Sequence, residues 1–154
     1  MRRTFSIAVL ALTLIAGACG GPQEQQFSSN DMAAIRKAST DLVAAFNAKE
    51  IDKILSLYAD NSVFMPPNAP LLRGRDPLKS FFTNLLASAS DLKMEPVDVA
   101  GHGPIGYASG SYSLTNKGFS DRGKFLIVMR NMMGNWRFEY TMWSSDLPPR
   151  LSGN

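Results

Sequence analysis

The first half of the mature chain repeats apolar residues at three- and four-residue steps, and the second half alternates them. Ile35, Ala38, Leu42, Ala45 and Phe46 form one stripe, which predicts a helix to about Ala48. Ser28, Ser29 and Asn30 supply N-cap oxygens, and Asp31 suits the positive end of the helix dipole. Ile51, Ile54, Leu55 and Tyr58 predict a second, shorter helix. A third starts within 74–77, where Pro77 is tolerated in the first turn, and its stripe is Leu78, Phe81, Phe82, Leu85 and Leu86.

Strands follow. Residues 62–65 read as a short strand ended by Pro66 and Pro67, and 94–101 as another in which Val97 and Val99 alternate. Residues 107–114 mix small and aromatic positions before a turn at Asn116, Lys117 and Gly118. Residues 124–132 and 136–144 are the strongest strands, joined at Gly134-Asn135. Phe125, Ile127 and Met129 share one face; Lys124, Leu126, Val128 and Arg130 share the other. Helices first and hairpin strands after predict an α+β fold with an antiparallel sheet covered on one face by about three N-terminal helices.

Ahead of this domain stands a different pattern: Met1-Arg2-Arg3, an apolar run from Phe5 to Ala16, then Gly17-Ala18-Cys19-Gly20. It reads as a signal peptide over 1–18, too short to span a bilayer. Cys19 is the single cysteine, so it has no partner for an intrachain disulfide. Directly after the small residues it resembles a lipidated lipoprotein cysteine, although Ala16 stands where that motif usually has Leu. Ala16-Gly17-Ala18 also fits ordinary signal cleavage, which would release a soluble periplasmic or secreted protein. The preferred reading is a cell-envelope lipoprotein held by a lipid on Cys19, a polar tether over 19–30, one domain over 31–147 and a tail over 148–154.

Removing this leader changes the electrostatics. The chain has 16 Lys+Arg against 13 Asp+Glu, and the leader takes away Arg2 and Arg3 but no acid. The mature chain is nearly neutral and has no Lys/Arg run, which argues against nucleic-acid binding. One histidine and no second cysteine argue against a metal site, and no cofactor is expected.

Several short motifs resemble those of SnoaL-like domains in the nuclear transport factor 2-like superfamily, which includes ketosteroid isomerase. They are Leu57-Tyr58-Ala59-Asp60-Asn61-Ser62-Val63-Phe64, Leu72-Arg73-Gly74-Arg75-Asp76, Phe81-Phe82, Gly123-Lys124-Phe125, Val128-Met129-Arg130 and Gly134-Asn135-Trp136, with Trp143-Ser144-Ser145-Asp146-Leu147-Pro148 last. The resemblance implies a cone, a strongly curved antiparallel sheet wrapped around about three N-terminal helices, with a pocket at one end and homodimerisation through the outer sheet face. It also implies that Ile127 and Trp143 look inward with Phe64, Met65 and Pro66. Tyr58, Phe64, Met65, Ile127, Met129 and Trp143 are the resulting ligand-binding candidates, with the other methionines as an adaptable lining.

Isomerase chemistry needs a carboxylate base and an oxyanion hole of Tyr and protonated Asp. Through the resemblance those positions carry Pro66, Leu42 and Ile127, none of them ionisable. His102 could serve a dehydratase if Asp98 oriented it in a pocket, but an exposed loop position is the plainer reading. Asp60 reads as the acid of a helix-ending turn. Arg73 and Arg75 could meet an anion at the start of the third helix, or simply be solvated or pair with Asp76. Arg130, Arg137 and Glu139 suit cross-strand pairs.

Two functions from different classes follow. The first is an exported, non-catalytic binder of a small apolar ligand or a protein partner. The second is an enzyme of the same fold, of isomerase, dehydratase or cyclase type, built on another constellation such as Tyr58, Asp60, Tyr112 or His102.

Overall fold

The structure, a computed structural model, describes residues 27–148. The expected signal peptide, Cys19, the tether as far as Gln26 and the tail from Pro149 lie outside the described residues.

Three helices and six strands follow in the order α1 (Ser29–Asn47), α2 (Ile51–Ser56), β1 (Tyr58–Met65), β2 (Leu72–Arg73), α3 (Arg75–Leu86), β3 (Ala89–His102), β4 (Ile105–Asn116), β5 (Phe119–Met132) and β6 (Asn135–Ser145). α1 begins in a capping box: Asp31 N–H donates to Ser28 Oγ, and the Ser28 N–H donates back to the Asp31 carboxylate. The second Asp31 oxygen accepts from Trp136 Nε1 at 3.1 Å, which fastens the start of the helix to β6. At the other end, Asn47 exchanges two hydrogen bonds with the backbone of Leu92, at 2.9 and 2.8 Å. The Lys49 ammonium donates to the carbonyls of Leu86 and Ala89, where α3 passes into β3.

The strands form one sheet in the order β2-β1-β6-β5-β4-β3. β3 to β6 are an antiparallel meander, whereas β1 runs parallel to β6. The sheet covers the helices, and Phe46, Phe82, Phe138, Ile35, Ile54 and Ile127 are fully buried between them. Each such side chain contributes about 1.5–3 kcal/mol by burial.

Several sequence expectations change. Tyr58 belongs to the strand rather than to the second helix, because β1 starts four residues earlier than its apolar run. Asp60 therefore sits exposed in β1 and not in a helix-ending turn. Val97 and Val99 do not share an environment: the β3 register shifts between Pro96 and Asp98, leaving Val97 78% exposed and Val99 6%. The last hairpin turns at Met133-Gly134, one residue before the expected Gly134-Asn135, with Met132 paired to Asn135. β2 carries no periodicity that two residues could show.

The inner faces are made by local backbone devices. A Cβ on Gly123 would fall on the Ser144 carbonyl oxygen of β6, so only glycine lets β5 approach there. In β6 the register with β5 shifts between Val128 and Met129, whose partners are Tyr140 and Phe138. Glu139 is the extra residue. Trp136 and Phe138 face inward before it, and Thr141 after it.

Candidate functional site

The cone encloses a cavity of about 20 Å³, lined by side chains from α1, α3 and every long strand. Leu42 and Phe46 close it from α1, Phe82 from α3, and Phe125 and Ile127 from β5. Met94 and Trp143 are the half-buried members of the lining, which places the mouth between β3 and β6. A volume near 20 Å³ accepts about one water, whereas a benzene-sized guest needs roughly 150 Å³.

Two of the lining residues carry buried oxygens just behind this apolar wall. Tyr58 Oη and Thr141 Oγ1 are buried and lack a hydrogen-bond partner among the described residues. Burial drives the Tyr58 phenol well above the usual tyrosine range, and the neighbouring Thr141 hydroxyl offsets part of that shift. Thr141 approaches closely enough for that influence but outside hydrogen-bond geometry, so both groups keep unspent hydrogen-bonding capacity. Ser62 Oγ is a third buried, unpartnered hydroxyl, outside the cavity lining.

Of the six candidates from the sequence, Tyr58, Ile127 and Trp143 line the cavity. Phe64 stands behind them in the core, with its ring 5.2 Å from Trp143 and 6.2 Å from Tyr58. Met129 is fully buried among core residues, and Met65 is half-buried at the end of β1; neither is in the lining. Among the methionines only Met94 lines the cavity, while Met132, Met133 and Met142 are exposed on the surface.

The polar candidates are drawn elsewhere. His102 is exposed at the end of β3, and Asp98 accepts from Tyr107 at 2.6 Å instead of orienting it. The Tyr112 ring lines the cavity, but its hydroxyl points away to Asp121 at 3.1 Å. Burial, then the Asp121 charge, raise the Tyr112 phenol above its ordinary range. Arg130 bonds Glu139 at 2.9 Å, and its cross-strand neighbour is Arg137. Arg73 and Arg75 are both exposed, and Arg75 reaches the Leu55 carbonyl at 3.5 Å. Among the described residues no group of His, Cys, Asp and Glu is placed to hold a metal ion.

Residues 40–143 match the family described as the SnoaL-like domain. The chain belongs to the SnoaL-like family. Solved structures share its fold. A ketosteroid isomerase-like protein from Erwinia carotovora atroseptica superposes with a TM-score of 0.71 at 22% identity, over 79% of this chain and 100% of that one. A protein of unknown function with a cystatin-like fold from Nostoc punctiforme gives 0.70 at 12% identity, over 83% and 98%. An NTF2-like protein of unknown function from Pseudomonas putida gives 0.66 at 17% identity, over 79% and 99%. No curated protein sequence matches the chain.

In this SnoaL-like domain, Leu42 and Ile127, two of the three positions expected to stand in for isomerase groups, are cavity wall, and the third, Pro66, is buried outside the lining. The lining contains no carboxylate, imidazole, ammonium or thiol. Its hydroxyl-bearing residues are Tyr58, Thr141 and Tyr112, of which Tyr112 is bonded to Asp121. Thr141 was missed although it lies two residues before the inward Trp143 and shares its face, while the β6 bulge brings Trp136 and Phe138, of opposite parity, inward as well. The signal was available: Trp136 and Trp143 have opposite parity, so both can look inward only if an extra residue lies between them.

Proposed function

We propose that this SnoaL-like domain binds a small, mostly apolar molecule carrying one hydrogen-bonding oxygen or nitrogen, without performing chemistry on it. The unpartnered Tyr58 and Thr141 hydroxyls behind an apolar wall carry this reading. Such groups cost free energy in the empty protein and regain it when a ligand atom completes them. The lining offers no residue to accept a proton at neutral pH, since the raised Tyr58 phenol remains a neutral donor. The closed cavity of about 20 Å³ holds no such guest, so both entry and accommodation require Trp143 and Met94 to swing outward, which makes Trp143 a reporter. Titration with small phenols and cyclic ketones should change Trp143 fluorescence and raise Tm, and Trp143→Phe should abolish the optical signal but not the Tm shift. Absence of both changes across the series sinks the proposal.

The same reading places the domain in the cell envelope, facing the periplasm or exterior, anchored by a lipid on Cys19. The leader pattern supports this, and the mass of the mature N-terminus tests it. A second copy of the chain fits the outer sheet face, where Leu126 pairs with Met142 and Val128 with Tyr140. Leu126, Tyr140 and Met142 are between 38% and 45% exposed. Sedimentation as a monomer at micromolar concentration refutes that assembly.

A further inference from the structure

One end of the sheet carries apolar side chains that the core does not use. Met133 is 98% exposed at the tip of the β5–β6 hairpin, with Met132 at 46% below it and Ile105 at 43% on the adjoining β3–β4 hairpin. The two hairpins are tied together, since the Asn131 N–H donates to the Pro104 carbonyl at 2.8 Å. Met133 has φ 54° and Gly134 φ 88°, a two-residue turn whose first position favours Asn, Asp or Gly. A flexible apolar side chain is thus held outward on backbone that disfavours it.

The chain enters the domain at this same end. The Phe27 ring packs edge-on against Trp136 at 5.8 Å and lies over Gly101 and Gly106 of the β3–β4 hairpin. Trp136 is the cross-strand partner of Asn131, just below the Met132-Met133 tip. From Cys19 to Phe27 the backbone can extend at most about 29 Å. A domain held by a lipid at Cys19 therefore keeps this end near the headgroups. Beside Met132, a groove of about 350 Å³ presents Arg75 and Arg137 against one carboxylate, Asp60. The adjacent Arg130 is already paired with Glu139.

We infer that the sheet end formed by Met132, Met133 and Ile105 rests on the phospholipid surface that holds the anchor, with Arg75 and Arg137 meeting anionic headgroups. This rests on the proposed lipid at Cys19. Shallow apolar insertion flanked by cations is how interfacial segments bind, and it orients the domain with its opposite hairpin, at Lys117, in water.

The test uses the full lipidated chain in phosphatidylethanolamine–phosphatidylglycerol vesicles, with an environment-sensitive fluorophore on Met133→Cys or, separately, on Lys117→Cys. Both positions are exposed turns, so either label leaves the fold intact. The expected result is a blue shift and loss of emission at position 133 when the vesicles contain headgroup-level nitroxide lipids, and no change at position 117. Replacing phosphatidylglycerol by phosphatidylcholine should reduce the shift. A lipidated chain whose probe at 133 stays as solvent-exposed as that at 117 overturns the docking alone. An unmodified Cys19 in the mature protein overturns the anchor and the docking with it.

Discussion

Tyr58 and Thr141, from parallel neighbours β1 and β6, both line one apolar cavity, and neither hydroxyl finds a hydrogen-bond partner among the described residues. Their positions depend on two irregularities, the early start of β1 and the extra residue in β6. Leaving a buried hydroxyl unpaired costs about 1–3 kcal/mol. The pair is therefore the point at which stability and binding separate.

Thr141→Val should raise stability by about 1 kcal/mol, because it removes an unpaired group at nearly constant shape. The same substitution should weaken phenol or ketone binding. Urea unfolding and a ligand titration on one preparation measure both, and a stability loss above 1 kcal/mol would show that a bridging water already satisfies the hydroxyl.

Met94→Ala should widen the mouth. The expected cost is about 2 kcal/mol or somewhat more, for a half-buried thioether replaced by a methyl. Probe affinity should rise, because Met94 no longer has to be displaced. Affinity unchanged from the parent would place the entry route elsewhere.

Gly123→Ala and Gly118→Ala should part widely. At Gly123 the added carbon meets the Ser144 backbone, and the β5–β6 ladder must shift, at about 3 kcal/mol or more. At Gly118 nothing lies within 4 Å, and only the φ of +76° opposes alanine, at about 1 kcal/mol. Denaturation midpoints compare them directly.

Acid should act on Asp31. The hydrogen bonds from Ser28, side chain then backbone, lower its pKa below the ordinary carboxylate value of 3.8, and Trp136 adds to this. A folded-state pKa below the unfolded one stabilises above the unfolded value and loses that contribution as pH falls through the folded one. Asp31→Asn should cost about 1 kcal/mol near neutrality and flatten the stability curve below about pH 4. Trp136 emission should report the loosening at the start of α1. An unchanged acid limb in the variant would remove Asp31 from the account.

Much of this fold could be read from residue periodicity, since each helix stripe and long stretches of the hairpin strands bury one apolar face. Ile127 and Trp143 were accessible in the same way, through the resemblance to SnoaL-like domains. What periodicity does not carry is register. The shift at Pro96 that exposes Val97 and the extra Glu139 that brings Trp136 and Phe138 inward with Thr141 depend on pairing across strands. Tyr58 was assigned to a helix because Ile51, Ile54, Leu55 and Tyr58 fit one stripe, although pairing with Phe138 draws it into β1. The expected leader and Cys19 lie outside the described residues.

The parallel neighbours β1 and β6 also order events in time. β1 is the first strand to leave the ribosome and β6 the last, so Val63 meets Tyr140 only after nearly the whole domain exists. Contacts this distant in sequence slow the search for the native state. Until that final strand arrives, β1 has only the two-residue β2 beside it in the sheet, and its other edge stays unpaired. A domain built this way closes its sheet only when β6, near the end of the described residues, is complete.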